Sequence, residues 1–295
     1  MSLDTVSFGE ILSDLRHYKK IGIEDLAYEI CSVEELIEFE KGKKYPTLDQ
    51  LYEIAARLNV EVSHFINYAS SSTFNYVTAV FQLIKKYKRE RDYEAIYEIV
   101  KGERDNPLFK QSLSQQFMLW HEGICKYYLH NDLAESVQLL YRAIDLTNPD
   151  RSNLSENEIE ILTSLAIIKF EEKDYISATN MFEDALDNLD SLPHILDPKV
   201  KLRILYGLSQ TLSGRDMYKE SLKYSNLGLN YCINNELLYL FGEFYYQSGE
   251  NYIKINEIDR GIEYINKAKS VFLLQNDEKF AKLVSLELDK LLEKC

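Results

Sequence analysis

The segment "KDYISATNMFEDAL", residues 173–186, carries a pattern that returns along most of the chain. It opens on a charged pair and then places the small residues Ala178 and Ala185 on one side of a helix. Four further segments align with it at their third residue, which we take as the end of a turn between two helices. They are "RDYEAIYEIV" (91–100), "NDLAESVQLLYRAI" (131–144), "DMYKESLKYSNLGL" (216–229) and "NEIDRGIEYINKAK" (256–269).

The repeat has a regular register. Its turn residues are Tyr93, Leu133, Tyr175, Tyr218 and Ile258, at spacings of 40, 42, 43 and 40 residues. Small residues stand three positions later (Ser136, Ala178, Ser221, Gly261) and ten positions later (Ala143, Ala185, Gly228, Ala268), except in the first unit, which has Ile96 and Glu103. Because small side chains let two helices approach closely, this spacing predicts a series of packed helix pairs.

The third unit resembles the tetratricopeptide pattern, with Ala178, Phe182 and Ala185 at the expected places. The usual period of that repeat is ~34 residues, so the helices or turns here must be longer. The resemblance implies an all-α fold, with a superhelical solenoid of about five helix pairs in a repeat domain over residues 74–295. An amphipathic helix at 283–292 is predicted to cap the last pair.

The first 66 residues are organised differently, as five short helices. Ser32 is predicted to cap the third helix and Gly42 to close it, and Thr47 opens the fourth. Apolar residues at helical spacing predict the buried face of the fourth helix: Leu48, Leu51, Ile54, Ala55 and Leu58. The segment "VSHFINY" (62–68) is predicted to be the last short helix of this region. A connecting stretch at 67–90 follows, and it contains the polar linker "ASSST" (69–73).

This region resembles the helix-turn-helix domains of the Cro and phage-repressor class over residues 7–66. The resemblance rests on Leu26-Ala27, on Phe39-Glu40-Lys41-Gly42 and on Pro46-Thr47-Leu48. In that class the third helix lies in the major groove, and its first side chains touch base edges. The resemblance therefore implies a DNA-binding domain at 1–66, with base contacts from Ser32, Glu34, Glu35 and Glu38 and phosphate contacts from Lys41, Lys43 and Lys44.

The charge of this region is unusual for a DNA-binding domain. Residues 1–66 hold seven Lys/Arg against thirteen Asp/Glu. Glutamate can accept a hydrogen bond from the cytosine amino group, but carboxylates beside phosphates are repelled. Arg16, Lys19 and Lys20 offer a second group of positive charges for the DNA backbone. Two hypotheses stay open: a domain that binds DNA through its lysines, or one kept only for protein contacts, with a solvated lysine-rich turn.

The first helix of each repeat is predicted to line a concave face that binds an extended peptide. Amide and hydroxyl groups there can bond a peptide backbone, and tyrosine rings can form pockets for its side chains. The alternative is that these residues pack between helices. The predicted peptide-binding residues are Thr163, Ser164, Tyr206, Gly207, Gln210, Tyr245, Tyr246 and Gln247.

A helix-turn-helix followed by long tetratricopeptide-like repeats resembles the peptide-sensing regulators of Gram-positive bacteria, and PlcR-type quorum-sensing regulators most of all. Its local marks are "EIC" (29–31), "KGKKYPT" (41–47), "IAARL" (54–58) and "YYQSGE" (245–250). The resemblance implies a cytoplasmic homodimer that binds promoter DNA and is controlled by a short signalling peptide in the repeat groove. The alternative is a repeat adaptor for a protein partner, with a helix-turn-helix that no longer binds DNA.

The resemblance extends to single positions of the repeat domain. Gln247 matches a glutamine that contacts the peptide in the family. Two family asparagines that hold the peptide backbone fall at Ser164 and Gly207 here. This departure implies a signalling peptide of a different sequence.

Composition and residue spacing argue against several classes of protein. A net charge of −14 argues against coating nucleic acid or an anionic membrane through bulk charge. The four cysteines form no CxxC pair, which favours reduced thiols in a cytoplasm, and no signal peptide or membrane-spanning run is recognised. The five histidines are scattered, without a metal-binding spacing, so no enzyme activity, metal or cofactor is predicted.

Overall fold

The structure is a computed structural model that describes residues 8–62, 65 and 72–293, without the side chains of 72–75. The described residues form fifteen α-helices and one short 3₁₀ helix, and they contain no strand. The chain divides into two compact units, Met1–Arg91 with Asn106–Phe109, and Asp92–Asp105 with Lys110–Cys295. We describe each unit by itself.

The first unit contains four short helices and one long helix. They are α1 (Phe8–Tyr18), α2 (Ile23–Ala27), α3 (Val33–Glu40), α4 (Leu48–Leu58) and α5 (Ser72–Glu90), with the 3₁₀ helix at Pro107–Phe109. Of the predicted helix at 62–68, all but Val62 and Phe65 lies outside the described residues. So does the predicted linker up to residue 71, whereas Ser72 already begins α5.

The first four helices share one apolar core. Its buried members come from every one of these helices: Phe8, Ile11, Leu12, Leu26, Ala27, Leu36, Phe39, Ile54, Ala55, Leu58 and, beyond α4, Phe65. The prediction for α4 is correct for Ile54, Ala55 and Leu58 but wrong for Leu48, which is 63% exposed. Leu48 is the first residue of α4, so it lies at the end of the apolar stripe and beyond the edge of the core.

An ion pair fastens α1 to the end of α3. Arg16 donates from Nε to Glu40 Oε1 at 2.6 Å and from its second terminal nitrogen to Glu40 Oε2 at 2.9 Å. The other terminal nitrogen donates to the carbonyl of Ile21 at 3.3 Å. The two charged side chains are only 11% and 12% exposed. This two-pronged geometry fixes the angle between the helices as well as their distance.

The second unit is built from ten α-helices in antiparallel order. They are α6 (Tyr93–Glu103), α7 (Ser112–His130), α8 (Leu133–Asp145), α9 (Glu156–Glu171), α10 (Tyr175–Ser191), α11 (Lys199–Gly214), α12 (Tyr218–Asn234), α13 (Phe241–Lys254), α14 (Ile258–Leu274) and α15 (Glu278–Leu292). Each helix packs on the next, and first helices of successive pairs also touch. The last helix, α15, packs on α14 and α13 as the predicted cap, although it begins five residues before the predicted 283–292.

The predicted turn residues are the first residues of α6, α8, α10, α12 and α14. Two positions before each one stands a residue in the left-handed conformation: Arg91, Asn131, Lys173, Asp216 and Asn256. In three of these turns an aspartate then caps the second helix, as when Asp132 Oδ1 accepts from the backbone of Glu135 at 2.9 Å. The same turn, which we call the joint, therefore recurs five times in the repeat, directly before α6, α8, α10, α12 and α14.

The small residues of the repeat occupy the contacts between helices, as predicted. Ser136, Ala178, Ser221, Ala143, Ala185 and Ala268 are all completely buried. Glu103, where the first unit departs from the pattern, is partly exposed. The predicted all-α fold of helix pairs is confirmed.

Candidate DNA-binding and peptide-binding sites

The start of α3 is stabilised by its own first residues. The hydroxyl of Ser32 accepts from the backbone N–H of Glu35 at 3.1 Å, and the carboxylate of Glu35 accepts from the backbone N–H of Ser32 at 3.4 Å. This reciprocal cap satisfies two donors that the helix cannot satisfy itself. Of the predicted base-contacting side chains in this first turn, Glu34 is the exposed one that takes no part in the cap.

The end of α3 brings one predicted lysine onto a predicted glutamate. Lys44 Nζ lies 3.2 Å from Glu38 Oε2, with both side chains about half exposed. The chain can turn back here because Gly42 has φ +66°, and the N–H groups of Gly42 and Lys43 then bond the carbonyls of Phe39 and Glu38. Lys44 thus offsets the charge of Glu38 on this surface.

Lys41 and Lys43 remain exposed at this turn. Lys19 and Lys20 are exposed at the end of α1 as well. Arg16 differs from the expectation, because its guanidinium is engaged by Glu40 and Ile21 and is not free to bind a phosphate. The positive charges that can face a DNA backbone are therefore those of the lysines.

The sequence prediction missed one residue that organises this unit. The guanidinium of Arg57, on α4, donates to the backbone carbonyls of Asp25, Leu26 and Tyr28 at the end of α2. These carbonyls have no partner within so short a helix, so Arg57 supplies their hydrogen bonds. The "IAARL" motif contains this arginine, and its place one residue before a buried leucine was the available signal.

In the repeat unit, the predicted contacts on α9 are buried and bonded. Ser164 accepts from the indole N–H of Trp120 at 2.9 Å and donates to the carbonyl of Glu160 at 2.9 Å. Thr163 is 2% exposed and donates to the carbonyl of Ile159 at 2.7 Å. A peptide contact at either residue stays a prediction, and it requires a bond to be exchanged.

Gly207 lies against the ring of Phe182. A Cβ added to Gly207 would stand 2.2 Å from Phe182 Cζ and 2.4 Å from Cε1. No side chain fits there while the ring keeps its place. The asparagine that the resemblance expects at this position therefore has no room beside a phenylalanine 25 residues earlier, on α10.

The remaining predicted contacts lie on α11 and α13. Gln210 is partly exposed, and its side chain makes no hydrogen bond within the described part of the chain. Tyr206 meets Phe244 edge-on at 5.5 Å between ring centroids, and Tyr245 meets Phe241 and Tyr264 at 5.0 and 5.7 Å. Tyr206 and Tyr245 therefore belong to an aromatic cluster that spans α11 to α14.

Two charges that face each other across α9 and α11 add to this surface. Arg203 lies 2.7 Å from Glu160 Oε2 and 3.9 Å from Asp197 Oδ2. Burial lowers the pKa of Arg203, but the two carboxylates and Tyr239 more than compensate, so this pKa is raised above its ordinary value. On α13, burial and the carboxylates of Glu250 and Glu287 raise the pKa of Tyr246. Tyr246 is thus a neutral hydroxyl at all physiological pH values.

Gln247 is 4% exposed and bonded through its amide nitrogen. Its Nε2 donates to Glu250 Oε2 at 3.2 Å and to Asn251 Oδ1 at 3.4 Å. Asn251 in turn bonds Ser213 and Ser221, at 2.8 and 2.7 Å. The residue that matches the family glutamine is thus the outer end of a polar chain that runs into the helix contacts.

Neither a metal centre nor a membrane span is found in what the structure describes. Among residues 8–62, 65 and 72–293, no three His, Cys, Asp or Glu side chains are grouped so that they could hold a metal ion. No helix in these ranges is long and apolar enough to cross a membrane.

Comparison with known proteins adds a family. The model of the RNPP family C-terminal domain matches residues 81–292. No curated protein matches the sequence. Three solved structures are similar over nearly the whole chain.

The first is Bacillus thuringiensis PlcR in complex with the peptide PapR7 and DNA, at 22% identity and a TM-score of 0.77, over 95% of this chain and 99% of that one. The second is the SHP pheromone receptor Rgg2 from Streptococcus dysgalactiae, at 15% identity and 0.66, over 96% and 99%. The third is ComR from S. thermophilus in complex with DNA and its signalling peptide ComS, at 14% and 0.62, over 97% and 99%.

At these identities the solved structures establish the fold, and the family rests on the domain match. That match spans well over half of the chain, and it covers the region in which the repeat was recognised. The predicted resemblance to PlcR-type peptide-sensing regulators is confirmed. The chain belongs to the RNPP family.

Proposed function

We propose that this protein is a peptide-controlled transcription regulator, in which the helix-turn-helix unit binds promoter DNA and the repeat unit binds a short signalling peptide. It acts as a cytoplasmic homodimer and has no catalytic function of its own. The domain limits we propose are 1–66 for DNA binding, 67–90 for the connection and 74–295 for peptide binding.

One observation carries this proposal: a single structure, PlcR with its peptide and DNA, aligns with 95% of this chain and leaves almost none of itself unmatched. The parts of PlcR that contact DNA and peptide in that complex therefore both lie within the aligned length. The names of Rgg2 and ComR, a pheromone receptor and a regulator bound to DNA and a signalling peptide, point in the same direction.

The described surface of the first unit supports a particular mode of DNA binding. Lysines 41 and 43 are exposed beside the recognition helix α3, and Lys44 is held by Glu38. Phosphate contacts position such a domain, whereas base contacts specify its site. We propose that the lysines bind the backbone, while Glu34 and Glu38 restrict the operator to sequences that present cytosine amino groups.

Control by a peptide requires a difference in affinity between two arrangements of the dimer. The peptide can shift DNA binding only by the ratio of its affinities for the two arrangements. Three predicted contacts have polar groups that can bond a peptide directly. The side-chain amide of Gln210 has no partner among the described residues, and Tyr246 has a neutral hydroxyl. The amide of Gln247 is bonded to Asn251, which lies in the contacts between helices.

A selection experiment tests the function. The full-length protein is incubated with a random double-stranded DNA library, with and without a pool of synthetic heptapeptides, and bound DNA is recovered and sequenced over a salt series. We expect a palindromic site whose enrichment changes when the pool is present, and whose binding weakens as salt rises.

The opposite result has a definite meaning. Recovery of no DNA sequence at low salt, with any peptide, would leave the repeat unit as an adaptor for a protein partner, with a helix-turn-helix that does not bind DNA. Matched protein with Lys41, Lys43 and Lys44 changed to Ala serves as the control for non-specific binding. It should lose the salt-dependent part of the signal while keeping its helical content.

A further inference from the structure

A chain of buried polar groups crosses three helices of the repeat unit. It runs from Ser209 on α11 through Ser221 on α12 to Asn251 and Gln247 on α13, and none of the four is more than 4% exposed. The donor and the acceptor of each hydrogen bond along it can be assigned, because the first acceptors are the backbone carbonyls of Ser209 and Ser221. This assignment decides whether the nitrogen or the oxygen of the Gln247 amide is bonded within the protein.

The starting point is a reciprocal pair of serines. The hydroxyl of Ser221 donates to the backbone carbonyl of Ser209 at 2.5 Å, and the hydroxyl of Ser209 donates to the backbone carbonyl of Ser221 at 3.1 Å. A carbonyl only accepts, and a hydroxyl has one proton to give. Since that proton is committed to Ser209, the oxygen of Ser221 must act as an acceptor toward α13.

The next group is therefore fixed in orientation. Asn251 Nδ2 donates to Ser221 Oγ at 2.7 Å, which turns Asn251 Oδ1 away from α12. That oxygen accepts from Ser213 Oγ at 2.8 Å and from Gln247 Nε2 at 3.4 Å. Asn251 cannot turn over without placing its amide oxygen against the acceptor oxygen of Ser221.

Gln247 inherits this orientation. Its second donor bond goes to a carboxylate, Glu250 Oε2, at 3.2 Å, so both partners of its nitrogen are acceptors. Its own amide oxygen makes no hydrogen bond to any residue that the structure describes. The nitrogen of Gln247 is committed to the protein, and the oxygen is the group left to offer.

We propose that Asn251 and Ser221 are positioning residues that hold the amide of Gln247 with its oxygen toward the peptide, so that this point of the groove selects a hydrogen-bond donor, a backbone N–H. The inference rests on the proposed peptide-binding function. It adds a direction to the contact: an oxygen that must be met by a peptide N–H and not by a peptide carbonyl. Release of Asn251 leaves the amide nitrogen of Gln247 held by Glu250 alone, a partly exposed carboxylate that is also paired with Lys254 at 3.0 Å, and so weakens this selectivity.

Two serine-to-alanine variants of the full-length protein separate positioning from stability. Ser221→Ala removes the oxygen that orients Asn251. Ser209→Ala is the control, because it also removes one buried hydroxyl, together with its contacts at 3.1 Å to the carbonyl and the hydroxyl of Ser221, yet its backbone carbonyl still takes the proton of Ser221. Thermal melts followed by circular dichroism establish that both are folded. Asn251→Leu, which is close in shape but offers Gln247 no acceptor, replaces Ser221→Ala where that variant does not fold.

The probe is a pool of synthetic heptapeptides. Binders retained by the wild-type protein are identified by mass spectrometry and resynthesised with a single N-methyl group at each backbone position in turn. We expect one methylation to weaken binding to the wild type about tenfold or more, the effect of leaving one buried acceptor unpaired. Ser221→Ala should bind the unmethylated peptide more weakly, by up to about tenfold, and be less sensitive to that methylation than the wild type, whereas Ser209→Ala stays within about twofold of the wild type.

The possible failures can be told apart. If the wild type retains no peptide from the pool, both the proposed function and this inference are overturned. If peptides are retained but Ser221→Ala behaves as the wild type does, or Ser209→Ala loses as much, the inference alone is wrong. In the last case the chain serves stability only, and any peptide contact at Gln247 has no preferred direction.

Discussion

At the scale of single residues, the ion pair of Arg16 and Glu40 gives the clearest prediction for stability. Both charges have lost most of their water, and each is compensated by the other in two short hydrogen bonds. Such a pair adds little compared with an apolar contact of the same size, but it is costly to break, because the remaining charge stays buried without a partner. Because Glu40 lies at the end of α3, breaking the pair should also disturb the surface that we propose for DNA binding.

Glu40→Ala should lower the free energy of unfolding of the first unit by about 3 kcal/mol, because the Arg16 guanidinium is left uncompensated. The measurement is urea denaturation of the full-length protein, monitored by circular dichroism. Glu257→Ala is the control. It breaks the pair with Arg260, whose members are 52% and 48% exposed, and should change stability by less than about 1 kcal/mol. Equal losses in the two variants would contradict a special role for Arg16 and Glu40.

Glu158 gives a prediction for pH. Burial raises its pKa, but hydrogen bonds from Thr147, Ser155 and Asn148 outweigh this, so the pKa lies below the ordinary value of 4.5. A carboxylate with a lowered pKa stabilises the fold above its unfolded pKa, and this contribution is lost as pH falls through the folded value. The stability difference between wild type and Glu158→Gln should therefore be constant from pH 7 down to about 4.5 and shrink below it. A difference that grows on acidification would show the opposite sign.

The proposed contact of α3 with DNA places the carboxylates of Glu34 and Glu38 close to the DNA. If they only repel phosphates, Glu34→Gln should raise affinity for selected and unselected DNA alike, by up to about fivefold at low salt. If Glu34 reads a base, the same change should abolish preference for the selected site while non-specific binding persists. Gel shifts of both DNA types distinguish the two outcomes. Glu53→Gln, an exposed charge change on α4, is the control for net charge.

At the scale of helices and turns, most of the architecture could be predicted from the sequence, because each joint is a local property. The five turn residues were located correctly, since a left-handed residue precedes each of them, an aspartate caps three of the helices that follow, and small residues recur in four of the five units. Leu48 was misplaced because a helical stripe does not show where the core ends. The partners of the site residues could not be predicted either: Trp120 reaches Ser164 across 44 positions, and only the packing of helices brings them together.

Gly207 and Gly102 form a matched pair of helical glycines. Gly207→Ala should destabilise the protein by about 2 kcal/mol or more, because the new methyl group meets the ring of Phe182. Gly102→Ala has open space around it and should stabilise by up to about 1 kcal/mol, the usual gain in helix propensity. Thermal unfolding of both variants is the measurement. Phe182→Leu added to Gly207→Ala should recover part of the loss, which a purely local effect at Gly207 would not allow.

At the scale of the whole molecule, the proposed regulator depends on a linkage between two ligands. A peptide that changes the affinity for DNA must itself be bound with an affinity that DNA changes by the same factor. This holds whatever path connects the two units. It also means that the peptide and the operator can each be used to find the other.

The reciprocity can be measured once a peptide and an operator have been selected. Titration calorimetry of the full-length protein with peptide, in the absence and presence of saturating operator, should give a ratio of affinities equal to the ratio found for operator with and without peptide. A scrambled operator is the control and should leave peptide affinity unchanged. Unequal ratios would mean that the two measurements involve different oligomers of the protein.

The recurrence of one joint at the head of α6, α8, α10, α12 and α14 makes the second unit a modular object. Each block between joints, such as residues 173–215, starts and ends on equivalent geometry, so its neighbours meet the same kind of surface on either side. The number of blocks can therefore change without any change in the residues that form each turn. Duplication of one block lengthens the row of first helices by one member, and deletion shortens it, without a new turn having to be invented. The length of the peptide that such a protein can bind therefore changes in steps of one whole block.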